Sequence, residues 1–206
     1  VLRKKIDDTI LITNGKNIFF NGKISSISNN NCEVDILNFE IKDKLNYSLH
    51  IVISPLKSNE RFEWFLEKAS EIGISEITPI ICKRSERKFI NKKRLNKVLI
   101  SAMKQSLKAH HPILNPITTL KDFYKKKFND ELFIAHCNNS EKEFLINCLK
   151  PKTKNIVLIG PEGDFTENEV KKAIYLGFKP VSLGKSRFRA ETAAIIATHT
   201  VSIVNM

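Results

Sequence analysis

Apolar and polar residues alternate on two different rhythms along this chain, and the rhythm changes near Leu49. Before that point, short runs rich in β-branched and aromatic side chains occupy residues 9–13, 17–20, 23–27 and 32–37, with Asn14-Gly15 and Asn21-Gly22 between them. Asn-Gly is the dipeptide of tight hairpin turns, so residues 1–45 predict a small β domain with a hairpin at each dipeptide. Residues 38–48 have the composition of a linker. Beyond it, residues 49–54 form a continuous apolar run, which reads as a strand buried on both faces. Ser58 then caps a helix that turns Phe62, Phe65, Leu66, Ala69 and Ile72 to one side before Gly73 stops it. A strand at 76–82, a helix from about Asn91 burying Leu95, Val98, Leu99 and Ala102, a strand at 132–135 and a helix over 141–149 continue the alternation. Next come a strand at 156–159 and a helix opened by the capping box Thr166-Glu-Asn-Glu169, with Val170, Ala173 and Ile174 on its inner face and Gly177 at its end. A short strand at 181–183 and a helix over 191–204 close the chain. Strand and helix in turn predict an α/β fold with a mainly parallel sheet over residues 46–206.

Composition adds a partner class to this frame. The chain has 206 residues and a 42% hydrophobic share, enough for a packed core, with a formal net charge of +12. That charge attracts a polyanion such as nucleic acid, although a lysine-rich composition also spreads cations over a whole surface without any such partner. Cys32, Cys82, Cys137 and Cys148 show neither CxxC spacing nor a histidine pattern, which predicts unpaired, buried thiols in a reducing compartment and no metal site. No run of about 18 apolar residues and no signal peptide is present, so the expectation is a cytoplasmic chain without a membrane partner.

Candidate chemistry concentrates near the C-terminus. In Ile156-Val-Leu-Ile-Gly-Pro-Glu-Gly163 a buried strand breaks into a tight loop, and Gly160 and Gly163 let the backbone approach a ligand while Pro161 stiffens the turn. The segment Leu183-Gly-Lys-Ser-Arg-Phe-Arg-Ala-Glu-Thr-Ala193 repeats the design with an arginine-rich turn. Two such strand-loop-helix units side by side predict a crevice for a nucleotide-like cofactor at the carboxyl ends of parallel strands. GxGxxG and the Walker phosphate loop are both absent, which argues against a dinucleotide and against ATP.

These two segments resemble the SPOUT-class RNA methyltransferases, and specifically the bacterial 16S rRNA uridine-N3 methyltransferase group, whose pattern is IGPEGG followed by LGxxxLRxETA. Asp164 and Phe188 depart from it, standing where a glycine and a leucine are usual. Upstream, Glu67-Lys-Ala-Ser-Glu-Ile-Gly73 is similar to KATELG, Pro79 matches a family proline, and Ala102-Met-Lys-Gln-Ser-Leu-Lys108 is similar to AxEQSxR, with Lys104 and Lys108 replacing an acid and an arginine. Val1-Leu-Arg3 resembles an early VLR that follows further sequence in the family, so a missing N-terminal stretch is expected. The resemblance implies a C-terminal trefoil knot, a PUA-like RNA-binding domain over residues 1–45, S-adenosylmethionine as cofactor, a homodimer, and small-subunit ribosomal RNA or the 30S particle as partner. It places the cofactor against Leu158, Ile159, Gly160, Pro161, Glu162, Gly163, Leu183, Gly184, Ser186, Arg189, Thr192 and Ala193.

Methylation at uracil N3 requires loss of a proton, which spreads negative charge onto O2 and O4. A guanidinium suits that anion but cannot be the base, because it stays charged at any working pH. Arg189 is the first choice for the stabiliser and Arg187 the second. Glu191 is either a proton acceptor or, at the start of the last helix, a carboxylate favoured by the helix dipole. Glu162 is either a ligand contact or a solvated loop acid. His136, at a strand end, joins the cofactor candidates, whereas His110 and His111 read as helix terminators before Pro112. Trp64 sits one position off its helix's apolar face, suited to partial burial or a subunit contact. Arg3, Lys83, Arg84, Arg87 and Lys108 are candidate RNA contacts, with a solvated charged face as the alternative for the cluster at 83–88. Rival functions are another SPOUT activity, such as ribose 2′-O methylation, and a non-catalytic RNA-binding assembly factor.

Overall fold

The computed structural model describes residues 4–138 and 141–206. Two compact units are present: one takes the described residues up to Lys44 together with Met103–His111, the other Leu45–Ala102 and Pro112–Met206.

The first unit is a three-stranded antiparallel sheet in the order β1 (Thr9–Thr13), β2 (Ile18–Ile27), β3 (Cys32–Ile41). Asn14-Gly15 makes the β1–β2 turn, with Asn14 Oδ1 accepting from Lys16 N at 2.8 Å. Asn21-Gly22, by contrast, makes no hairpin. It lies inside one long strand at a register irregularity, where Gly22 packs against the Val34 side chain with no room for a Cβ. The expected linker is also partly strand, since Asn38 to Ile41 pair with β2 and leave residues 42–47 as the connection. Met103–His111 joins this unit through His111 N donating to Gly15 O at 3.0 Å and Asn17 N donating to Ala109 O at 2.9 Å, an addition that no local pattern announces.

The second unit is built on a parallel sheet. Its strands are β4 (Ser48–Ile53), β5 (Glu76–Ile81), β6 (Ile113–Leu114), β7 (Thr118–Thr119), β8 (Glu131–Ala135), β9 (Glu143–Phe144), β10 (Lys154–Ile159) and β11 (Lys179–Ser182). The order is β6-β5-β4-β10-β8-β11-β9, with β7 also on β5. Successive residues of a strand point to opposite faces, and β4, β5 and β10 are covered on both, which is why these central strands read as apolar runs. Ile51 and Ile53 of β4 and Val157 and Ile159 of β10 pack against helices α1 (Asn59–Ile72), α2 (Lys92–Gln105) and α6 (Ala190–Val204). Val52, Ile156 and Leu158 face the other way, onto α3 (Leu120–Phe123), α5 (Glu167–Tyr175) and Phe165.

Local signals fix the helix ends. Ser58 accepts from Arg61 N at the start of α1, and Gly73, at φ 134°, donates to Ala69 O at its end. Thr166 and Glu169 close a capping box on α5, although Ile174 is exposed rather than on the inner face. The helix expected over 141–149 is reduced to one turn, α4 (Leu145–Cys148), because Glu143 and Phe144 pair with the edge of β11 instead. The thiols are free, but only Cys82 is buried; Cys32 and Cys137 are exposed and Cys148 is half-buried. No helix among the described residues is long and apolar enough to cross a membrane.

Candidate active site

β10, β8 and β11 end at one level: Ile159 pairs with Ala135, and Val181 pairs with the same Ala135. The two glycine-bearing units are therefore not side by side. β8 lies between them and sends its own loop, His136 to Asn138, into the same space. Together the three loops enclose a cleft of about 630 Å3 at the carboxyl ends of parallel strands, the size range and position of a small-molecule site in an open α/β sheet.

After β10, Asp164 N donates to Pro161 O at 2.8 Å and closes a turn. Asp164 itself adopts φ 61°, a left-handed conformation that a glycine takes freely and an aspartate tolerates. Its carboxylate accepts from Phe165 N and from Cys137 N, each at 2.8 Å, so it clasps the loop after β8 to the loop after β10. Gly160 leaves room for Phe165 rather than only for a ligand: a Cβ there would lie 3.1 Å from the Phe165 ring and 3.2 Å from its backbone nitrogen. Likewise a Cβ on Gly184 would meet the tip of the Phe188 ring at 2.9 Å. Glu162 Oε1 accepts from Lys57 N at 2.9 Å, which gives this acid a structural partner in the loop after β4.

Ile159, Gly160, Pro161, Glu162, Leu183, Gly184, Ser186, Arg187, Arg189, Ala193 and His136 all line the cleft. Leu158, Gly163, Glu191 and Thr192 do not. Leu158 is one residue too early and sealed in the core, and Gly163 turns its carbonyl to Arg84 Nη1 at 2.9 Å. Thr192 is half-buried on α6. Glu191 is 5% exposed in the first turn of α6, with Oε1 3.7 Å from Arg61 Nε. Arg189 supplies the helix N-cap position without a side-chain capping bond, so its guanidinium is left exposed at the cleft mouth beside Arg187 and Lys185. These three and Lys142 outnumber Glu162 and Asp164 around the opening, a field that favours anions.

Sequence reasoning did not place Cys137, Asn138, Lys142 or Lys185 at the site. Only strand order brings the first three there, and no local pattern carries strand order. His136 is 8% exposed; its Nδ1 accepts from Asn138 N at 3.2 Å, and Nε2 has no hydrogen-bond partner among the described residues. Burial pushes its pKa below the ordinary 6.5, Lys142 acts in the same sense and Asp164 opposes them.

Of the candidate RNA contacts, Arg3 lies outside the described residues. Lys83 has an exposed side chain, while its backbone N donates to Glu169 Oε1 at 2.8 Å. Arg84 reaches Gly163, and Arg87 is engaged by Asn59 Oδ1 and Lys57 O and sits over the Phe89 ring. Lys108 belongs to the first unit and is half-buried. The described residues hold no cluster of three or more metal-ligating side chains.

Fold and site define a parallel α/β protein with a cleft for a nucleoside-sized ligand at its strand ends. The family model for an RNA methyltransferase domain matches residues 43–202, and that for an RNA methyltransferase PUA domain matches residues 1–37, so the chain belongs to the RNA methyltransferase family. It is 31% identical to the ribosomal RNA small subunit methyltransferase E of Rickettsia conorii, across 99% of this chain and 84% of that protein. It is 32% identical to the protein of the same name in Buchnera aphidicola, across 96% and 80%. Among solved structures, a probable rRNA-methyltransferase from Porphyromonas gingivalis superposes with a TM-score of 0.92 at 34% identity, covering 99% of this chain and 87% of that one. A ribosomal RNA small subunit methyltransferase E from Neisseria gonorrhoeae, bound to S-adenosyl methionine, gives 0.89 at 25% identity, covering 99% and 86%.

Proposed function

We propose that the chain transfers a methyl group from S-adenosylmethionine to N3 of a uridine in small-subunit ribosomal RNA. The observation that carries this reading is the three-loop cleft at level strand ends, in a chain whose relatives are named for small-subunit ribosomal RNA methylation. The residues present suit the cofactor. The cleft has the volume for it, its floor is apolar, and the buried side chain of His136, whose Nε2 has no hydrogen-bond partner among the described residues, belongs to its lining. When bound, S-adenosylmethionine supplies an electrophilic methyl on a sulfonium. The loops after β8, β10 and β11 hold it, with backbone and side-chain groups of Ile159 to Glu162, Leu183, Gly184 and Ser186 as its contacts.

Arg189 faces the target base. Its permanent charge stabilises the uracil anion left when N3 loses its proton, and Arg187 stands next to it in the same role. Glu191 pairs with the Arg61 guanidinium rather than moving the proton, since it is buried and outside the cleft. N3 lies on the Watson-Crick edge, so the target must be unpaired or extruded to reach Arg189. Lys83, Arg84 and the first unit contact the RNA backbone. The working form is a cytoplasmic homodimer that packs α6, whose Ile203 is exposed and whose Ile195 and Ile196 are half-buried, in the knotted arrangement implied for this fold.

Labelled methyl transfer to small ribosomal subunits lacking the modification, followed by mapping of the labelled nucleotide, tests the reading. Label on a ribose, or no transfer, overturns it. Light scattering at micromolar concentration tests the dimer: a stable monomer that still methylates RNA would remove it.

A further inference from the structure

Resting on the RNA substrate proposed above, we infer that a second pocket, walled by the loops after β4 and β5 and by the first turns of α1 and α2, holds another unpaired base of the same strand, stacked on Phe89 beside Arg87.

The pocket has a volume of about 220 Å3, below the size of a whole-cofactor site and suited to a single ring system. Pro55, Leu56 and Phe62 supply apolar wall. Phe89 lines it as well and is 72% exposed, with the Arg87 guanidinium 5.6 Å from the centroid of its ring. Arg87 is fixed before any ligand arrives, because it donates to Asn59 Oδ1 and, at 2.7 Å, to Lys57 O. An open aromatic ring and a flat guanidinium are the two kinds of surface on which unpaired bases stack.

The polar lining selects the edge of the base. Asn59 spends its Oδ1 on Arg87 and Asn91 its Oδ1 on Arg94 N, which leaves amide N–H donors on both. Glu63, the acid of the lining, faces Arg94, with Oε1 2.6 Å from Nε and Oε2 accepting from Nη2 at 3.0 Å. Donors predominate, so a uracil edge with two carbonyl oxygens fits better than an adenine edge with its amino group.

Charge decides between RNA and protein as the occupant. Residues 83–94 carry seven cations and one acid, Glu86. A symmetric second copy of the chain would bring the same cations against these, whereas a base arrives with phosphates that match them. Position ties the pocket to the stretch of strand next to the target. Glu162, which lines the cleft, accepts from Lys57 N at 2.9 Å, and Lys57 O is the acceptor that holds Arg87.

Fluorescence anisotropy of labelled oligouridine, and of an RNA duplex of the same length, tests the pocket without cofactor. Phe89→Ala is expected to weaken oligouridine about five- to fiftyfold, with the slope of affinity against salt unchanged because no phosphate contact is lost. Phe89→Trp is expected to restore the affinity, and neither variant to alter duplex binding, since paired bases are already stacked. The unfolding midpoint stays level, because the ring is exposed. Unchanged oligouridine affinity in Phe89→Ala, or an equal loss on the duplex, overturns the pocket, as does a wild-type chain that binds no oligouridine. A lower light-scattering mass for Phe89→Ala overturns it too, making the ring a subunit contact. Wild-type preference for oligoadenosine over oligouridine overturns the edge assignment. The methylation reading fails separately: wild-type methyl transfer with unchanged binding by Phe89→Ala removes only the pocket, while Phe89-dependent binding without any transfer removes only the methylation.

Discussion

Arg189 and the two close-packed glycines separate chemistry from architecture at the scale of single residues. Arg189 ends in solvent at the cleft mouth with no capping duty, so removing it leaves the fold untouched. Arg189→Ala is expected to lower kcat by about 10²- to 10³-fold, the loss seen for a preorganised charge stabiliser, with little change in cofactor affinity. Single-turnover methylation and calorimetry, run on the same variant, check the split. Gly160 and Gly184 resemble each other in sequence but differ in what confines them. The atoms around Gly160 belong to Phe165, which is sealed in the core and includes an immovable backbone nitrogen; those around Gly184 are the far end of the half-buried Phe188 ring. Gly160→Ala is therefore expected to lower the unfolding midpoint, whereas Gly184→Ala displaces Phe188 in the cleft and weakens ligand binding with the midpoint nearly unchanged. Calorimetric scans of the two variants with and without S-adenosylhomocysteine distinguish these outcomes.

Among the elements, α5 shows how one side chain serves two structures. Glu169 Oε2 takes Thr166 N at 2.8 Å in the capping box, while Oε1 takes Lys83 N at 2.8 Å from the loop after β5. Thr166→Ala removes a cap worth about 1 kcal/mol; Glu169→Ala is expected to cost more than that, because it also strands the Lys83 N–H. Urea unfolding of both variants gives the comparison, and equal losses would deny Glu169 its second role. The box itself is plain in the sequence, as are α1, α6 and the strands β4, β5 and β10, because each carries its own period, cap or unbroken apolar run. Elements made by their neighbours are not. Phe144, Leu145 and Ile146 are consecutive apolar residues with no period of their own, and the edge of β11 decides that two residues there are strand. Asn21-Gly22 has the chemistry of a turn and becomes a bulge because β2 and β3 continue pairing past it. The site divides the same way. The glycine and arginine loops are visible as motifs and His136 as a strand-end histidine, but Cys137 and Asn138 join them only because β8 lies between β10 and β11, and Glu191 leaves them because its helix turns it toward Arg61.

For the whole molecule, three histidines set the response to mild acid. His50, His110 and His136 are each held by burial below the ordinary value of 6.5, so the unfolded chain binds their protons more readily than the folded one. The stability conferred by their neutral forms is complete above about pH 6.5 and declines as the pH falls through that value. Unfolding midpoints at pH 7.5, 6.5 and 5.5 are expected to be level over the first interval and to drop over the second; a rise toward pH 5.5 would contradict the assignment. The order β4-β10-β8 bears on how the protein is made. β10 is translated after both of its partners yet must enter between them, pairing with β4 on one side and β8 on the other. Synthesis proceeds at roughly 5–20 residues per second, so for seconds the nascent chain carries two apolar strands whose facing edges have nothing to bond. Bare edges of that kind recruit other chains. A message cut short before Lys154 yields a polypeptide that cannot close its sheet, and the burden of keeping it apart from its neighbours falls on the chaperones at the ribosome.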